Sequence, residues 1–136
     1  MKHIFLALLS FLCLSLGAQD YRIYGGKDYK VYLGKWASRY DSESIWNNYG
    51  SYGSKYRSES IWNEYGTFGS KYNQYSPWNE YTSYPPRIID ERNNIVDYLT
   101  TGYKASVEMR KIVKFIIEHF DEAADDPSAF YKKYIE

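Results

Sequence analysis

Apolar positions fall into three regimes along this chain. Ile4 to Leu16 is almost wholly apolar, broken only by Ser10 and Ser15. Near the other end, Val107, Met109, Ile112, Val113, Ile116, Ile117 and Phe120 recur at helical spacing, with Glu108, Arg110, Lys111, Lys114, Glu118 and Asp121 opposite them. That pattern predicts an amphipathic helix over Lys104 to Ala123. Asp125-Asp126-Pro127 then stops it and starts another, with Asp126 as N-cap and Pro127 in the first helical position. Phe130, Tyr131 and Tyr134 give that last short helix an aromatic face. Between the ends neither period persists, and aromatics alternate with Ser, Asn and Gly.

Two stretches read as strands. In "YRIYGGKDYKVYLGKW", Tyr21 to Tyr24, a turn at Gly25-Gly26, and Tyr29 to Trp36 predict a β-hairpin. In "PRIIDERNNIVDYLTT", Arg87 to Ile89, a polar turn from Asp90 to Asn94, and Ile95 to Leu99 predict a second. The shared outline, "RI" then turn then "V", suggests hairpins bracketing the middle of the chain. Ordinary edge strands of coincidental likeness are the alternative.

The middle says one thing three times. "SRYDSESIWNNYGSYG" starts at Ser38, "SKYRSESIWNEYGTFG" at Ser54, and a looser copy at Ser70; the first two agree at 11 of 16 positions. Columns that hold through all three are Ser38/Ser54/Ser70, Tyr40/Tyr56/Tyr72, Ser44/Ser60/Ser76, Trp46/Trp62/Trp78, Asn47/Asn63/Asn79 and Tyr49/Tyr65/Tyr81. The second column is always basic: Arg39, Lys55, Lys71. Within a unit, "SESIWNEY" carries N-capping hydroxyls, an Ile-Trp pair and a Gly stop, which predicts one or two helical turns. The remainder, with two glycines around an aromatic, reads as turns. A unit this short cannot bury its own Trp, whereas stacked units can. Trp46, Trp62 and Trp78, with Ile45 and Ile61, are therefore the expected core. The alternative is that the indoles lie exposed and stack on sugar rings. The Asn column is expected to bond to backbone in the next coil. Pro77, Thr82 and Pro85 break the motif in the third copy, as in a terminal unit without a next neighbour.

The apolar start changes the picture of where the chain works. Lys2 and His3, then a short apolar run, then Leu16-Gly17-Ala18 is the layout of a secretory signal, with cleavage expected after Ala18. The run is shorter than the about 20 residues a bilayer span needs, so no integral membrane segment is expected after cleavage. Cys13 lies inside it with Leu12 before it, which does not suit lipid attachment, and no other cysteine follows. An exported chain without disulfides must be held by packing alone. The organisation expected is a signal peptide (1–18), an N-terminal hairpin (19–37), three 16-residue repeats (38–85), a second hairpin (86–101) and C-terminal helices (102–136), an α+β chain.

Composition narrows the chemistry. Lys and Arg number 17, as do Asp and Glu, and aromatics make up 20% with 17 Tyr and 4 Trp. A near-neutral surface gives no footprint for nucleic acid and no strong pull toward anionic lipid. Beyond the leader His119 is the one histidine, expected mid-helix, so a Ser-His-Asp arrangement has only that residue to use. Zinc and copper sites lack His and Cys ligands, calcium loops have no matching spacing, and no cofactor is expected. Glu43/Glu59 and Glu64/Glu80 share columns and read as a solvated face paired with Arg39, Lys55 or Lys71. A pair of them converging in a cleft would instead point to a hydrolase.

The units resemble a group of uncharacterised secreted bacterial proteins with tandem "SKYSS-SIWN-YG-YG" motifs followed by a "PP" hairpin of the form "IVD-NG--YGYLT". The matching stretches are Ser54 to Gly69, Ser70 to Pro86 and Arg87 to Thr101. Gln74-Tyr75 replaces the usual Ser pair, and Glu91-Arg92-Asn93-Asn94 replaces an Asn-Gly turn. The resemblance implies export and architecture, and no activity. Together these readings predict a small secreted or periplasmic, non-enzymatic interaction or structural protein. Tyr40, Tyr56 and Tyr72, each beside Arg39, Lys55 or Lys71, form the expected binding ledge for an envelope protein or a second copy. A glycan- or peptidoglycan-binding module is the alternative, and a small secreted hydrolase the third.

Overall fold

The computed structural model describes residues 20–136; the apolar leader and its expected cleavage point lie outside the described residues. The chain is α+β. Strands β1 (Arg22–Gly25), β2 (Val31–Lys35), β3 (Arg87–Ile89) and β4 (Ile95–Tyr98) form one antiparallel sheet in the order β2-β1-β3-β4. Helices α1 (Val107–Glu118), α2 (Phe120–Asp125) and α3 (Pro127–Tyr134) follow. No helix among the described residues is long and apolar enough to cross a membrane.

The two hairpins are halves of a single sheet. β1 pairs with β3 as well as β2, with Ile23 opposite both Gly34 and Ile88. Ile23, Leu33 and Ile88 are buried beneath this pairing. The chain thus leaves the sheet after β2, runs through 38–85, and re-enters beside the strand it started from. Asp90 closes the second hairpin by accepting N–H bonds from Arg92 and Asn94, both at 2.9 Å. That Asx geometry admits Asn93 at a positive φ of 64°.

The expected helical turns in "SESIWNEY" do not form. Between Ser38 and Gly50 the backbone makes four successive three-residue steps, Asp41 N to Ser38 O, Ser44 N to Asp41 O, Asn47 N to Ser44 O and Gly50 N to Asn47 O, at 3.1 to 3.2 Å. Equivalent steps end at Gly66 in the second unit and at Thr82 in the third. Side chains explain the choice. Ser44, Ser60 and Ser76 accept the N–H of Trp46, Trp62 and Trp78 at 3.0 to 3.1 Å. A hydroxyl that takes the donor two residues on offers the chain an alternative to the helical ladder. These serines are fully buried, and Ser44 donates in turn to Ala37 O at 2.8 Å.

Tryptophans run through the interior. Ring centroids lie 5.6 Å apart for Trp36 and Trp46, 5.4 Å for Trp46 and Trp62, and 5.3 Å for Trp62 and Trp78. Trp36 arrives from the end of β2, where Ile45 N bonds to Lys35 O and Lys35 N to Glu43 O. Gly34 makes this junction possible. It sits at φ +104°, and a Cβ there would lie 2.6 Å from the Cβ of Tyr52 and 2.7 Å from Glu43 O.

The helices lie against the indoles. Phe130 stacks on Trp46 at 5.9 Å with planes 7° apart, and Phe120 meets Trp62 at 6.2 Å and Trp78 at 5.9 Å. Met109, Ile112, Val113 and Ile116 supply the aliphatic part of the same core. The single helix expected over Lys104 to Ala123 is interrupted at His119, which has φ −125° and ψ 33°. Its imidazole lies on the Phe115 ring and its Nδ1 is 2.9 Å from Phe115 O, so it stands at a junction between helices and not in mid-helix. Helix α2 begins just past this break, with Phe120 on the indoles of Trp62 and Trp78. Val107, assigned by spacing to the apolar face, is exposed at the helix start. Ser106 caps α1 through Met109 N, and Asp97 of β4 holds Ser106 by its N–H and its hydroxyl at 2.9 and 2.6 Å. This ties the helix start to the sheet.

Candidate functional site: an exposed tyrosine face

Two tyrosine columns stand in solvent. Tyr40, Tyr56 and Tyr72 are 72 to 84% exposed, and Tyr49, Tyr65 and Tyr81 are 90 to 97% exposed. Trp46, Trp62, Trp78, Ile45 and Ile61 are buried, at most 3% exposed. The aromatic columns therefore divide by type: indoles inward, phenols outward. The Tyr49/Tyr65/Tyr81 column was legible in the sequence as a repeat, but nothing there marked it as the more exposed of the two.

Each tyrosine is carried on fixed backbone. Ser38, Ser54 and Ser70 accept the N–H of Tyr40, Tyr56 and Tyr72 at 3.2 to 3.3 Å. Asn47, Asn63 and Asn79 accept the N–H of Tyr49, Tyr65 and Tyr81 at 2.9 to 3.0 Å. The same Asn side chains donate backwards to the carbonyls of Asp41, Arg57 and Asn73 at 3.1 to 3.2 Å. So the Asn column braces its own unit, and the expected ladder between units is not what it makes. Six residues separate donor amide and acceptor carbonyl, a span that closes on one unit's turns before a neighbouring coil comes within reach.

Lateral ties come from the indoles instead. Trp62 Nε1 donates to Ile45 O at 2.6 Å and Trp78 Nε1 to Ile61 O at 2.5 Å. Trp46, with no unit before it, keeps its Nε1 buried and without a hydrogen-bond partner.

The basic column follows a different rule from the one expected. Arg39, Lys55 and Lys71 each lie over the ring of the next tyrosine, at 4.4, 5.5 and 5.3 Å from its centroid. Their ion partners are not the unit glutamates. Arg39 pairs with Glu136 at 2.7 Å and Lys55 with Asp125 at 2.6 Å, both on the C-terminal segment. These bonds hold both groups above their ordinary pKa values. Asn48 adds two more ties, donating to Asp126 and accepting from Ser128 N, each at 2.7 Å. Lys71 has no ion pair among the described residues. Glu43 instead accepts the hydroxyl of Tyr32, and burial with that bond pushes the Tyr32 hydroxyl well above the usual phenol range.

Beside Lys71 the surface opens into a groove of about 720 Å³ between the second and third units and the α1–α2 junction. Tyr65, Tyr72, Trp78 and Phe120 supply its aromatic lining. No group of three or more His, Cys, Asp or Glu side chains placed to hold a metal ion occurs among the described residues. No protein-family model, curated protein or solved structure matches the chain.

Proposed function

We propose that this chain is a small exported, non-enzymatic interaction or structural protein of the bacterial cell envelope, released after Ala18 into the periplasm or the medium. Its three 16-residue units act as stacked modules that present tyrosines to an envelope protein or to a second copy. The observation that supports this is the pairing of extreme tyrosine exposure with backbone pinned by Ser and Asn side chains. Tyrosine brings large contact area at low conformational cost, and a pinned backbone lowers that cost further. Burial of all three repeat indoles favours the scaffold role over sugar stacking by tryptophan. The resemblance to secreted bacterial proteins with tandem units agrees with export and adds no activity.

Affinity capture of the exported protein from its own envelope, with mass spectrometry of what comes along, tests the reading. Specific envelope proteins should be retained, and a variant with Tyr40, Tyr49 and Tyr56 changed to Ser should lose them while keeping its fold. Retention of glycan strands alone would favour the carbohydrate-binding alternative and sink the protein-docking one. Amino-terminal sequencing of the exported form should start at Gln19.

A further inference from the structure

We infer that the groove beside Lys71 seats an ammonium or guanidinium group carried by a lysine or arginine of a partner polypeptide; this rests on the interaction reading above and names the chemistry of its partner. Shape and walls come first. The groove is of ligand-pocket size, and Tyr65 and Tyr72, both exposed, line it.

Charge decides what enters. Glu64, Glu118 and Asp121 border the groove, are exposed, and make no ion pair among the described residues. Glu122 also borders it but is already engaged by Lys133 and Tyr134. Lys71 is the one lysine or arginine in the lining. Glu64 also feels the charge of Lys55, itself bonded to Asp125, while Glu118 and Asp121 make no ion pair among the described residues; carboxylates thus outnumber the one lysine of the lining, and a cleft with apolar walls concentrates such a field. Aromatic faces and carboxylates together recognise cations, since the ring quadrupole and the carboxylate charge attract the same sign. The chain already makes this contact within itself: Lys71 Nζ lies 5.3 Å from the Tyr72 centroid.

The basic column explains why the groove is open here. In the first two units the side chain over the tyrosine is tied to a carboxylate of the C-terminal segment, Glu136 or Asp125. At the third unit the helical segment is interrupted at His119, and Lys71 makes no ion pair among the described residues. Lys71 therefore competes with an incoming cation for the Tyr72 face, and its removal should strengthen binding.

The test uses the purified exported protein and a fluorescein-labelled pentalysine peptide, followed by anisotropy at low salt. Pentalysine should bind and labelled pentaglutamate should not. Replacing Glu64→Gln, Glu118→Gln and Asp121→Asn together should weaken pentalysine by about tenfold or more. Lys71→Ala, which leaves every carboxylate in place, should tighten it severalfold, and near-ultraviolet circular dichroism checks that each variant keeps its packing. Equal binding of pentaglutamate, unchanged affinity in a folded triple variant, or weaker binding by Lys71→Ala would overturn the inference. Spermidine or a glucosamine tetramer binding as tightly as pentalysine would overturn the polypeptide source. Envelope capture that persists when pentalysine fails removes the groove and leaves the broader reading; pentalysine binding without any envelope capture does the reverse.

Discussion

The indole N–H of Trp62 donates to the carbonyl oxygen of Ile45, 17 residues earlier, at 2.6 Å. The same bond joins Trp78 to Ile61. Each is a buried lateral tie between a side chain of one unit and the backbone of the unit before it. Trp46 occupies the same column without such a tie, because what precedes it is the β2 strand and not another unit.

That difference separates two otherwise equivalent substitutions. Trp62→Phe and Trp46→Phe remove similar ring area, but only the first leaves a buried carbonyl without its donor. Trp62→Phe should therefore be the more destabilising by about 1–3 kcal/mol. Urea unfolding of both variants measures it, and equal losses would show that the Trp62 bond contributes nothing beyond packing.

Close backbone approach makes a second contrast. A Cβ at Gly69 would fall on the backbone of Asn63, far inside contact distance, whereas at Gly66 the nearest atom would be Ser58 O at 3.2 Å. Gly69→Ala should lose about 3 kcal/mol as an overpacking defect, and Gly66→Ala clearly less. Thermal melts of the two variants decide, and similar melting temperatures would contradict the packing described here.

Acid stability should depend on Asp90. N–H bonds from Asn94 and Arg92 favour its charged form and hold its pKa below the usual carboxylate value. A depressed folded pKa means the stabilisation is fully present above the unfolded pKa of about 4 and is lost as pH falls through the lower folded value. Asp90→Asn should lower stability at neutral pH and flatten its decline in acid. Denaturant midpoints collected across that acid range check the sign; a parallel shift at every pH would refute it.

Salt should distinguish members of the basic column. Lys55→Ala cuts the bond to Asp125 that fastens the second unit to the C-terminal segment, while Lys71→Ala cuts no ion pair among the described residues. Melting temperature should fall for the first variant and stay level for the second, and the difference should shrink in high salt as the exposed pair is screened. A difference that survives molar salt would mean that Lys55 acts through packing of its stem.

Local order was written into the sequence wherever the interactions that create it are near in the chain. Asp126 capping α3 with Pro127 behind it, the strand at Arg87 to Ile89, and the amphipathic run from Met109 to Ile116 all follow from neighbours a few residues apart. Recurrence of Trp46, Trp62 and Trp78 likewise announced that they share one environment. Tertiary structure alone decided the rest. Joining of the hairpins through β1 and β3 needs residues more than sixty positions apart to meet, and no local pattern encodes which strands will pair. The units took linked turns over helix because Ser and Asn claim amides two residues on, a competition whose winner depends on burial of the serines. Helix α1 stops at His119 because Phe120 packs on indoles contributed from another part of the chain. Arg39 and Lys55 found partners on the C-terminal segment because packing brought those carboxylates close, while sequence spacing offered only the nearer glutamates.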